Sequence, residues 1–376
     1  MGCSYQGLGL ANYVLGEDDG MKSASPAVVV YEDRPDNLIG VQLLVLSLNR
    51  YSPDLRALVT VPGAPEAFRD WLQAQPNAEL YDTRLEASGW DVKPSLLLEH
   101  LGNGSPSVAW VDTDMIVTGP LSARLAELPT GSLIGTEDVW WGRRQGTPQR
   151  TLAWGLKPGR VLPVTVNTGF LRAATAHVPL LERWRDMLTM PDYRAAQKLK
   201  IGQRPLHLMG DQEVLTALLG AVDWQDVPVR LLRRGLDVAQ CYGPGGFSPR
   251  ERLYLRLHHQ LPLLVHAMGT KPWEPEAPRP KSEGNGVRAL VSGWAAAIDA
   301  AHHQLSLFNW AASSYREELG NDLAWTSHST PLSSALVKMT KNDPLLREMP
   351  LALMDAAGRG AFMKAGKVKA WLGKRR

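Results

Sequence analysis

Asp112 and Asp114 stand one residue apart at the end of an apolar run, in the stretch VAWVDTDMIVTGPL. Their carboxylates repel each other when ionised, so a positive partner is expected between them. The Asp-Thr-Asp unit is expected to form a turn outside the carboxyl end of a strand, where open α/β sheets bind ligands. Two hard oxygen donors suit Mg²⁺ or Mn²⁺. The simpler alternative is a solvated turn, because Asp is common in turns.

The composition is that of a globular chain with a sizeable core. Of the 376 residues, 44% are apolar, and the net charge of +3 does not call for nucleic acid, so no nucleic-acid partner is expected. The two cysteines, Cys3 and Cys241, form no disulfide framework, which fits a reducing compartment. No apolar run approaches the ~20 residues of a membrane helix, and the N-terminus lacks a signal pattern. We therefore expect a cytoplasmic protein.

Short β-branched runs alternate with helical patterns, which predicts an α/β fold with a largely parallel sheet flanked by helices. The predicted strands are Ala27–Tyr31, Leu55–Val61, Glu79–Tyr81, Ser107–Val111, Gly131–Gly135, Thr165–Leu171, Val229–Arg233 and Leu261–His266. The predicted helices are Asn37–Arg50, Ala67–Ala74, Val92–Leu101 (with Asp91 as N-cap and Gly102 just after its end), Val178–Met190 and Gln212–Leu219.

The C-terminal part changes character. Lys271–Gly286 is rich in proline and has no periodicity, which predicts a linker or a wrapping loop. Helical patterns follow at Val287–Leu307 and Asn309–Leu319. We place a domain boundary near Pro275, so that residues 1–275 form the main domain and residues 276–376 form a linker plus a helical C-terminal extension.

Two further segments carry chemistry without a defined role. The tail Gly358–Arg376 combines basic residues with apolar anchors, which fits peripheral contact with an anionic membrane or a solvated, frayed tail. Trp140-Trp141-Gly142-Arg143-Arg144 follows the Asp-Thr-Asp stretch. Exposed tryptophans stack well on sugar faces, so an acceptor role and a core or lid role both stay open.

Five stretches, in this order, resemble the motif set of glycosyltransferase family 8, which includes glycogenin and bacterial lipopolysaccharide galactosyl- and glucosyltransferases. They are VKPSLLLEHL (Val92–Leu101), VAWVDTDMIVTGPL (Val108–Leu121), VNTGFLRA (Val166–Ala173), GDQEVLTALL (Gly210–Leu219) and VHAMGTKPW (Val265–Trp273). The resemblance covers about Ala27 to Trp273. It implies a GT-A fold, a nucleotide-sugar donor that is usually UDP-linked, Mn²⁺, and retention of anomeric configuration.

The resemblance implies a metal and diphosphate site. Asp112, Asp114 and His266 would be the metal ligands, for Mn²⁺ or alternatively Mg²⁺. Without the residues that follow it, His266 would more readily be a buried core histidine. Lys271 would contact the diphosphate, and Gly269 would let the backbone approach the phosphates. An ordinary surface turn with a solvated lysine is the alternative for this segment.

The resemblance also implies donor-binding and catalytic residues. Asp211 and Gln212 would lie beside the anomeric carbon, and whether they orient the acceptor, stabilise an oxocarbenium-like state or act as nucleophile stays open. Asp211 could instead be no more than a helix N-cap. The remaining donor-binding residues implied are Tyr31 and Asp33 near the base, Lys93, Thr113, and Asn167, Thr168 and Gly169 facing the donor sugar. For Lys93 a free surface lysine, and for the Asn-Thr-Gly run a simple turn, are the alternatives.

The chain departs from the family pattern at three places. Ala267 follows the metal histidine where an aromatic residue is more common, and Pro94 follows Lys93 where another residue is usual. The first-strand motif, Tyr31-Glu32-Asp33-Arg34-Pro35, is loose. The last departure leaves the choice between uracil and another base open.

The leading functional prediction is a metal-dependent retaining hexosyltransferase that acts on a glycan, a glycolipid or a small acceptor. A sugar-nucleotide-forming nucleotidyltransferase also uses paired aspartates and Mg²⁺, but the first strand here lacks the Gly-rich basic loop of such enzymes. A non-catalytic carbohydrate- or partner-binding protein on the same fold is the third reading. The presence together of Asp112, Asp114, Asp211, His266 and Lys271 disfavours it.

Overall fold

The computed structural model describes residues 26–138, 147–241, 243–274, 298 and 300–358. The Trp140–Arg144 stretch, residues 275–286 of the proline-rich segment and the basic tail beyond residue 358 lie outside these residues. The expectations for them stay predictions.

In the part of the chain that the structure describes, ten strands form two sheets. The strands are β1 Ala27–Tyr31, β2 Ala57–Thr60, β3 Ala78–Leu80, β4 Ser107–Val111, β5 Met115–Val117, β6 Leu133–Glu137, β7 Val166–Ala174, β8 Val229–Leu232, β9 Val238–Gln240 and β10 Leu264–His266. The larger sheet has seven strands in the order β3-β2-β1-β4-β7-β6-β8, and the smaller has the order β5-β10-β9. In the larger sheet β7 is antiparallel to both of its neighbours, while the other pairs are parallel. The predicted α/β class is confirmed, and each predicted strand overlaps an observed one.

Nine helices precede the C-terminal part within the described residues. They are α1 Leu38–Tyr51, α2 Glu66–Gln73, α3 Lys93–Gly102, α4 Leu121–Ala126, α5 Thr147–Ala153, α6 Val178–Leu188, α7 Pro191–Gln197, α8 Asp211–Leu219 and α9 Pro249–Leu257. The predicted start of α3 was wrong. A 3-10 turn over Gly89–Val92 leads into α3 without a side-chain cap, and the Asp91 carboxylate accepts from the Tyr193 hydroxyl at 2.7 Å instead. Gly102 is the last residue of the helix rather than the residue after it.

The larger sheet is covered on both faces, which is why its parallel strands read as continuous apolar runs. Successive residues of β1 point to opposite sides. Val28 and Val30 enter the core that contains α1, and Val29 and Tyr31 enter the core that contains α3. The carboxyl ends of β1 and β4 therefore lie side by side at one edge, held between two packed helix layers.

The C-terminal helices pack on the smaller sheet. Val265 of β10 and Ile116 of β5 share a core with Leu307, Phe308 and Leu323. The helices of this part are Leu307–Ser313, Arg316–Leu319 and Pro331–Met339, with helical residues also at 300–305 and 349–358. The domain boundary near Pro275 stays a prediction. Within the described residues, none of the helices combines the length and the apolar character needed to cross a bilayer.

Candidate active site

Asp112, Asp114 and His266 meet at the carboxyl end of β4. The Asp-Thr-Asp turn connects β4 to β5, and β10 pairs antiparallel with β5 so that His266 stands opposite Met115. This register brings Nε2 of His266 to 3.2 Å from Oδ1 of Asp114. One ligand atom from each of the three side chains lies within 4.8 Å of the other two. Residues far apart in the chain thus form one cluster.

The backbone of the Asp-Thr-Asp turn is held from two sides. The Asp112 amide donates to the Gly169 carbonyl at 2.7 Å, and the Ala267 amide donates to the Asp114 carbonyl at 2.9 Å. The Thr113 hydroxyl donates to Oε2 of Glu32 at 2.6 Å. Sequence reasoning did not assign a role to Glu32, and its one signal was a carboxylate directly after a buried strand.

Each aspartate of the turn also has a lysine partner. Oδ1 of Asp112 accepts from the Trp110 indole at 2.7 Å and lies 3.1 Å from Nζ of Lys93. Asp114 is buried and pairs with the Lys271 ammonium. Burial disfavours the Asp114 carboxylate, but Lys271 and His266 outweigh it and hold the pKa of Asp114 well below its usual range. Asp114 is therefore ionised at neutral pH.

The donor set fits a divalent cation. Gly169 lies against the His266 ring, where an added Cβ would stand 2.7 Å from Cε1, so the imidazole fits only because residue 169 has no side chain. The ring thus presents Nε2 to Asp114, and among the described residues its buried Nδ1 has no hydrogen-bond partner. Carboxylate oxygens are hard donors and an imidazole nitrogen is an intermediate one, and Mn²⁺ and Mg²⁺ sites use donors of these kinds.

Lys93 connects the Asp112, Asp114 and His266 side chains to Asp211. Its buried Nζ lies 3.1 Å from Oγ1 of Thr168 and 3.5 Å from Oδ2 of Asp211, and Thr168 donates to the same Oδ2 at 2.6 Å. Burial opposes the charge of Lys93, but Asp112 and Asp211 outweigh it and raise the pKa of the ammonium. Burial raises the pKa of Asp211, although Lys93 opposes this. Lys93 is thus an internal cation and not a free surface lysine.

Asp211 is the first residue of α8, and Gly210 is the N-cap, so the alternative that Asp211 caps the helix was wrong. Its neighbour Gln212 belongs to an amide network. The Asn167 side-chain amide donates to Oε1 of Gln212 and to Oδ2 of Asp138, both at 3.2 Å, and the Gln212 amide donates to the same Asp138 oxygen at 3.2 Å. Asp138, which sequence reasoning missed, thereby fixes the Gln212 side chain.

A cavity of ≈ 930 Å³ opens above these groups. It is large enough for a nucleotide-sized ligand. Gly269 adopts the left-handed conformation that glycine tolerates, with φ of 85°, at the rim. The predicted residues that line the cavity are Tyr31, Asp33, Lys93, Asp112, Thr113, Asp114, Asp211, Gln212, Gly269 and Lys271.

The other four predicted residues lie behind the cavity wall. Asn167, Thr168 and Gly169 are interior residues of β7, and their polar groups contact Gln212, Asp211 and the Asp-Thr-Asp turn from below. His266 is buried beside them. Further lining residues, which sequence reasoning did not assign to a binding site, include Glu32, Arg34, Trp90, Asp91, Asp138, Gln197, Ile201, Arg204 and Met209.

At the base end predicted for Tyr31 and Asp33, the two side chains are neighbours. The Tyr31 hydroxyl lies 3.5 Å from Oδ2 of Asp33, and the same oxygen accepts from the Gly89 amide at 2.8 Å. Burial and the Asp33 charge raise the pKa of Tyr31 to about 12, so the tyrosine is neutral. The end of β1 is thereby linked to the turn before α3.

No protein-family model matches the chain, and no curated protein matches it. Among solved structures, the chain is similar to the apo form of the bifunctional glycosyltransferase WbbM (14% identity, 69% of this chain and 49% of that chain, TM-score 0.43). It is similar to the glycosyltransferase GlyE of Streptococcus pneumoniae (17% identity, 79% of this chain and 64% of that chain, TM-score 0.41). It is also similar to the galactosyltransferase LgtC in complex with donor and acceptor sugar analogues (17% identity, 77% of this chain and 95% of that chain, TM-score 0.44). The chain spans about half the length of the first and less than two thirds of the second. The chemistry of the site therefore has to be argued from its own side chains.

Proposed function

We propose that this protein is a metal-dependent glycosyltransferase with a GT-A arrangement, related to family 8, that moves a hexose from a nucleotide sugar to a carbohydrate acceptor with retention of configuration. The observation that carries the proposal is that Asp112, Asp114 and Lys271 meet in the wall of the cavity, with His266 buried directly behind them against Asp114. The motif resemblance supports the same assignment. UDP is the proposed nucleotide.

Asp112, Asp114 and His266 would hold the divalent cation, with Mn²⁺ first and Mg²⁺ as the alternative. Bound there, the cation would act as a Lewis acid that neutralises the diphosphate. The Trp110 indole holds the Asp112 carboxylate, and Glu32 holds the turn between the two aspartates through the Thr113 hydroxyl. Residues that orient ligands in this way tune metal sites as strongly as the ligands do.

Lys271 would bind the departing diphosphate. Its ammonium already lies at the cavity, on Asp114, and its backbone amide is fixed by an acceptor on Glu274 at 3.1 Å. When the sugar–phosphate bond breaks, the nucleotide gains negative charge. A cation that is in place before the reaction stabilises this charge without reorganising the site.

Asp211 and Gln212 would face the anomeric centre. Both line the cavity, and both are fixed by partners on β7, Asp211 by Thr168 and Gln212 by Asn167. Lys93 keeps a positive charge between Asp112 and Asp211. In this arrangement Asp211 supplies negative charge near an oxocarbenium-like centre, and Gln212 supplies a hydrogen-bonding amide to a sugar hydroxyl.

A glycolipid acceptor and peripheral membrane contact through the basic residues after 358 belong to the same proposal. Co-sedimentation with vesicles tests it. Binding that requires anionic lipid supports membrane contact, and equal recovery with neutral and anionic vesicles contradicts it.

The proposed function is tested by thermal shift with UDP, UDP-sugars and ATP, each with and without Mn²⁺. Stabilisation by UDP only with metal, together with slow hydrolysis of one UDP-sugar, is the expected result. A preference for the triphosphate would favour a nucleotidyltransferase. Sugar binding without any nucleotide response would favour a non-catalytic carbohydrate-binding protein.

A further inference from the structure

Trp90 exposes an indole to the cavity. The side chain lines the cavity and is 45% exposed, while Trp110 and Trp184 of the surrounding core are buried. A large aromatic surface left exposed in a cavity has a hydration cost that a ligand can remove. Among the described residues, this side chain is part neither of the Asp112, Asp114 and His266 cluster nor of the Asp211 hydrogen bonds.

The Trp90 ring is fixed from several sides. The 3-10 turn that carries it is tied to β1 by the bond from the Gly89 amide to Asp33 at 2.8 Å. The next residue, Asp91, accepts from the Tyr193 hydroxyl at 2.7 Å. The Arg204 guanidinium lies over the ring, 5.9 Å from its centroid. A rigid aromatic loses little conformational entropy when it binds a ligand.

Arg204 is itself held, so it can support the ring. Its Nε donates to the Leu199 carbonyl at 3.1 Å, and its Nη1 donates to the Met209 carbonyl at 2.9 Å. A further bond joins it to the Gln197 side chain. Trp90, Asp91 and Arg204 all line the cavity, on the wall that also contains Ile201.

This wall belongs to the Asp211 side of the cavity. Asp91 follows Trp90 directly and stands two residues before Lys93, whose Nζ is 3.5 Å from Oδ2 of Asp211. The Lys271 ammonium instead lies on Asp114, beside His266. Gly89, which precedes Trp90, is hydrogen-bonded to Asp33, so a ligand on Trp90 lies between the proposed base end and the proposed reacting end of the donor.

The chemistry of Trp90 and Asp91 suits a sugar ring. A pyranose has an apolar face of C–H groups that packs on an indole, and its hydroxyls donate to carboxylates in charge-assisted hydrogen bonds. The Arg204 guanidinium, whose hydrogen bonds go to the Leu199, Met209 and Gln197 carbonyls and to the Gln197 side chain, supports the indole on which the sugar packs. We propose that Trp90, Asp91 and Arg204 form a binding subsite for a hexose ring of the acceptor, a proposal that rests on the proposed function.

The test compares Trp90→Ala and Trp90→Phe with Tyr254→Ala, a matched control on α9 whose ring is 46% exposed and which is not among the residues lining the cavity. The probes are the methyl glycosides of glucose, galactose, mannose and N-acetylglucosamine, with UDP and Mn²⁺ present. Saturation-transfer NMR measures their binding, and turnover assays measure transfer against hydrolysis of the UDP-sugar.

We expect at least one methyl glycoside to bind the wild type. Trp90→Ala should weaken that binding about tenfold and lower the ratio of transfer to hydrolysis similarly, the Phe variant should recover part of both, and Tyr254→Ala should change neither. Absence of binding by every probe, or equal binding by Trp90→Ala, would overturn the subsite. Loss of the Mn²⁺-dependent UDP shift in Trp90→Ala would mean that the indole stacks on the base. A wild type without any metal-dependent nucleotide response would contradict the proposed function instead.

Discussion

Gly40→Ala tests how closely α1 packs against the proposed metal turn. A Cβ at residue 40 would stand 2.5 Å from the backbone carbonyl oxygen of Thr113 and 3.1 Å from the Trp273 ring. The first distance is about 1 Å shorter than a normal contact. Because the clash is with backbone between Asp112 and Asp114, the turn has to move.

The size of the effect follows from two opposing terms. Overpacking a core costs about 1–3 kcal/mol, and replacing glycine by alanine inside a helix returns about 1 kcal/mol. We therefore expect a net loss of about 1 kcal/mol in unfolding free energy. Displacing the Thr113 backbone should weaken Mn²⁺ binding about tenfold or more, the range found when supporting residues of metal sites are changed.

Urea unfolding gives the stability, and calorimetric titration with Mn²⁺ in the presence of UDP gives the affinity. Gly102→Ala is the matched control, because this last residue of α3 is exposed and has no atom within 4 Å of an added Cβ. It should gain up to about 1 kcal/mol and leave Mn²⁺ binding unchanged. If Gly40→Ala matches the control in both measurements, the packing argument is refuted.

Three further variants give sharp expectations. Arg150→Met removes the ion-pair partner of Glu213, a core carboxyl group whose pKa is raised by burial. Urea unfolding should therefore show a loss of about 3–5 kcal/mol in unfolding free energy, and adding Glu213→Gln should recover part of it. Asp91→Asn keeps an acceptor for the Tyr193 hydroxyl. Because burial raises the Asp91 pKa from 3.8 to about 6, the wild type should lose stability relative to the variant as the pH rises from about 4 to 6. A stability difference that does not change with pH would contradict this. Lys271→Gln should lower kcat for UDP-sugar hydrolysis by about a hundredfold. Because the buried Asp114 loses an ion-pair partner, the thermal midpoint of the variant should fall as well, so kcat is measured with Mn²⁺ well below that midpoint. An unchanged kcat would remove Lys271 from the proposed chemistry.

Local patterns predicted most elements of the fold. The apolar runs of β1 and β4 and the stripe of α1 are readable because burial on both faces leaves little choice of residue type. The Asp-Thr-Asp turn follows from the same logic, since two aspartates directly after such a run end the apolar strand. Boundaries shifted by a few residues where helix and strand ends depend on neighbours.

Contacts that depend on strand register do not follow from local patterns, and only the motif resemblance placed His266 with Asp112 and Asp114. The pairing of β10 with β5 places His266 beside Asp114, and nothing local to either strand specifies that pairing. The roles of Glu32 and Asp91 were missed for the same reason, because their partners Thr113 and Tyr193 are distant in the chain. Helix-cap patterns even suggested another role for Asp91, which long-range packing overrode.

The central claim is that one divalent cation is held by Asp112, Asp114 and His266. Crystals grown with Mn²⁺ and UDP, measured at a wavelength where manganese scatters anomalously, test it most directly. We predict one anomalous peak in contact with both carboxylates and with Nε2 of His266. A peak elsewhere, or UDP bound in the cavity without a peak between these side chains, would contradict the claim.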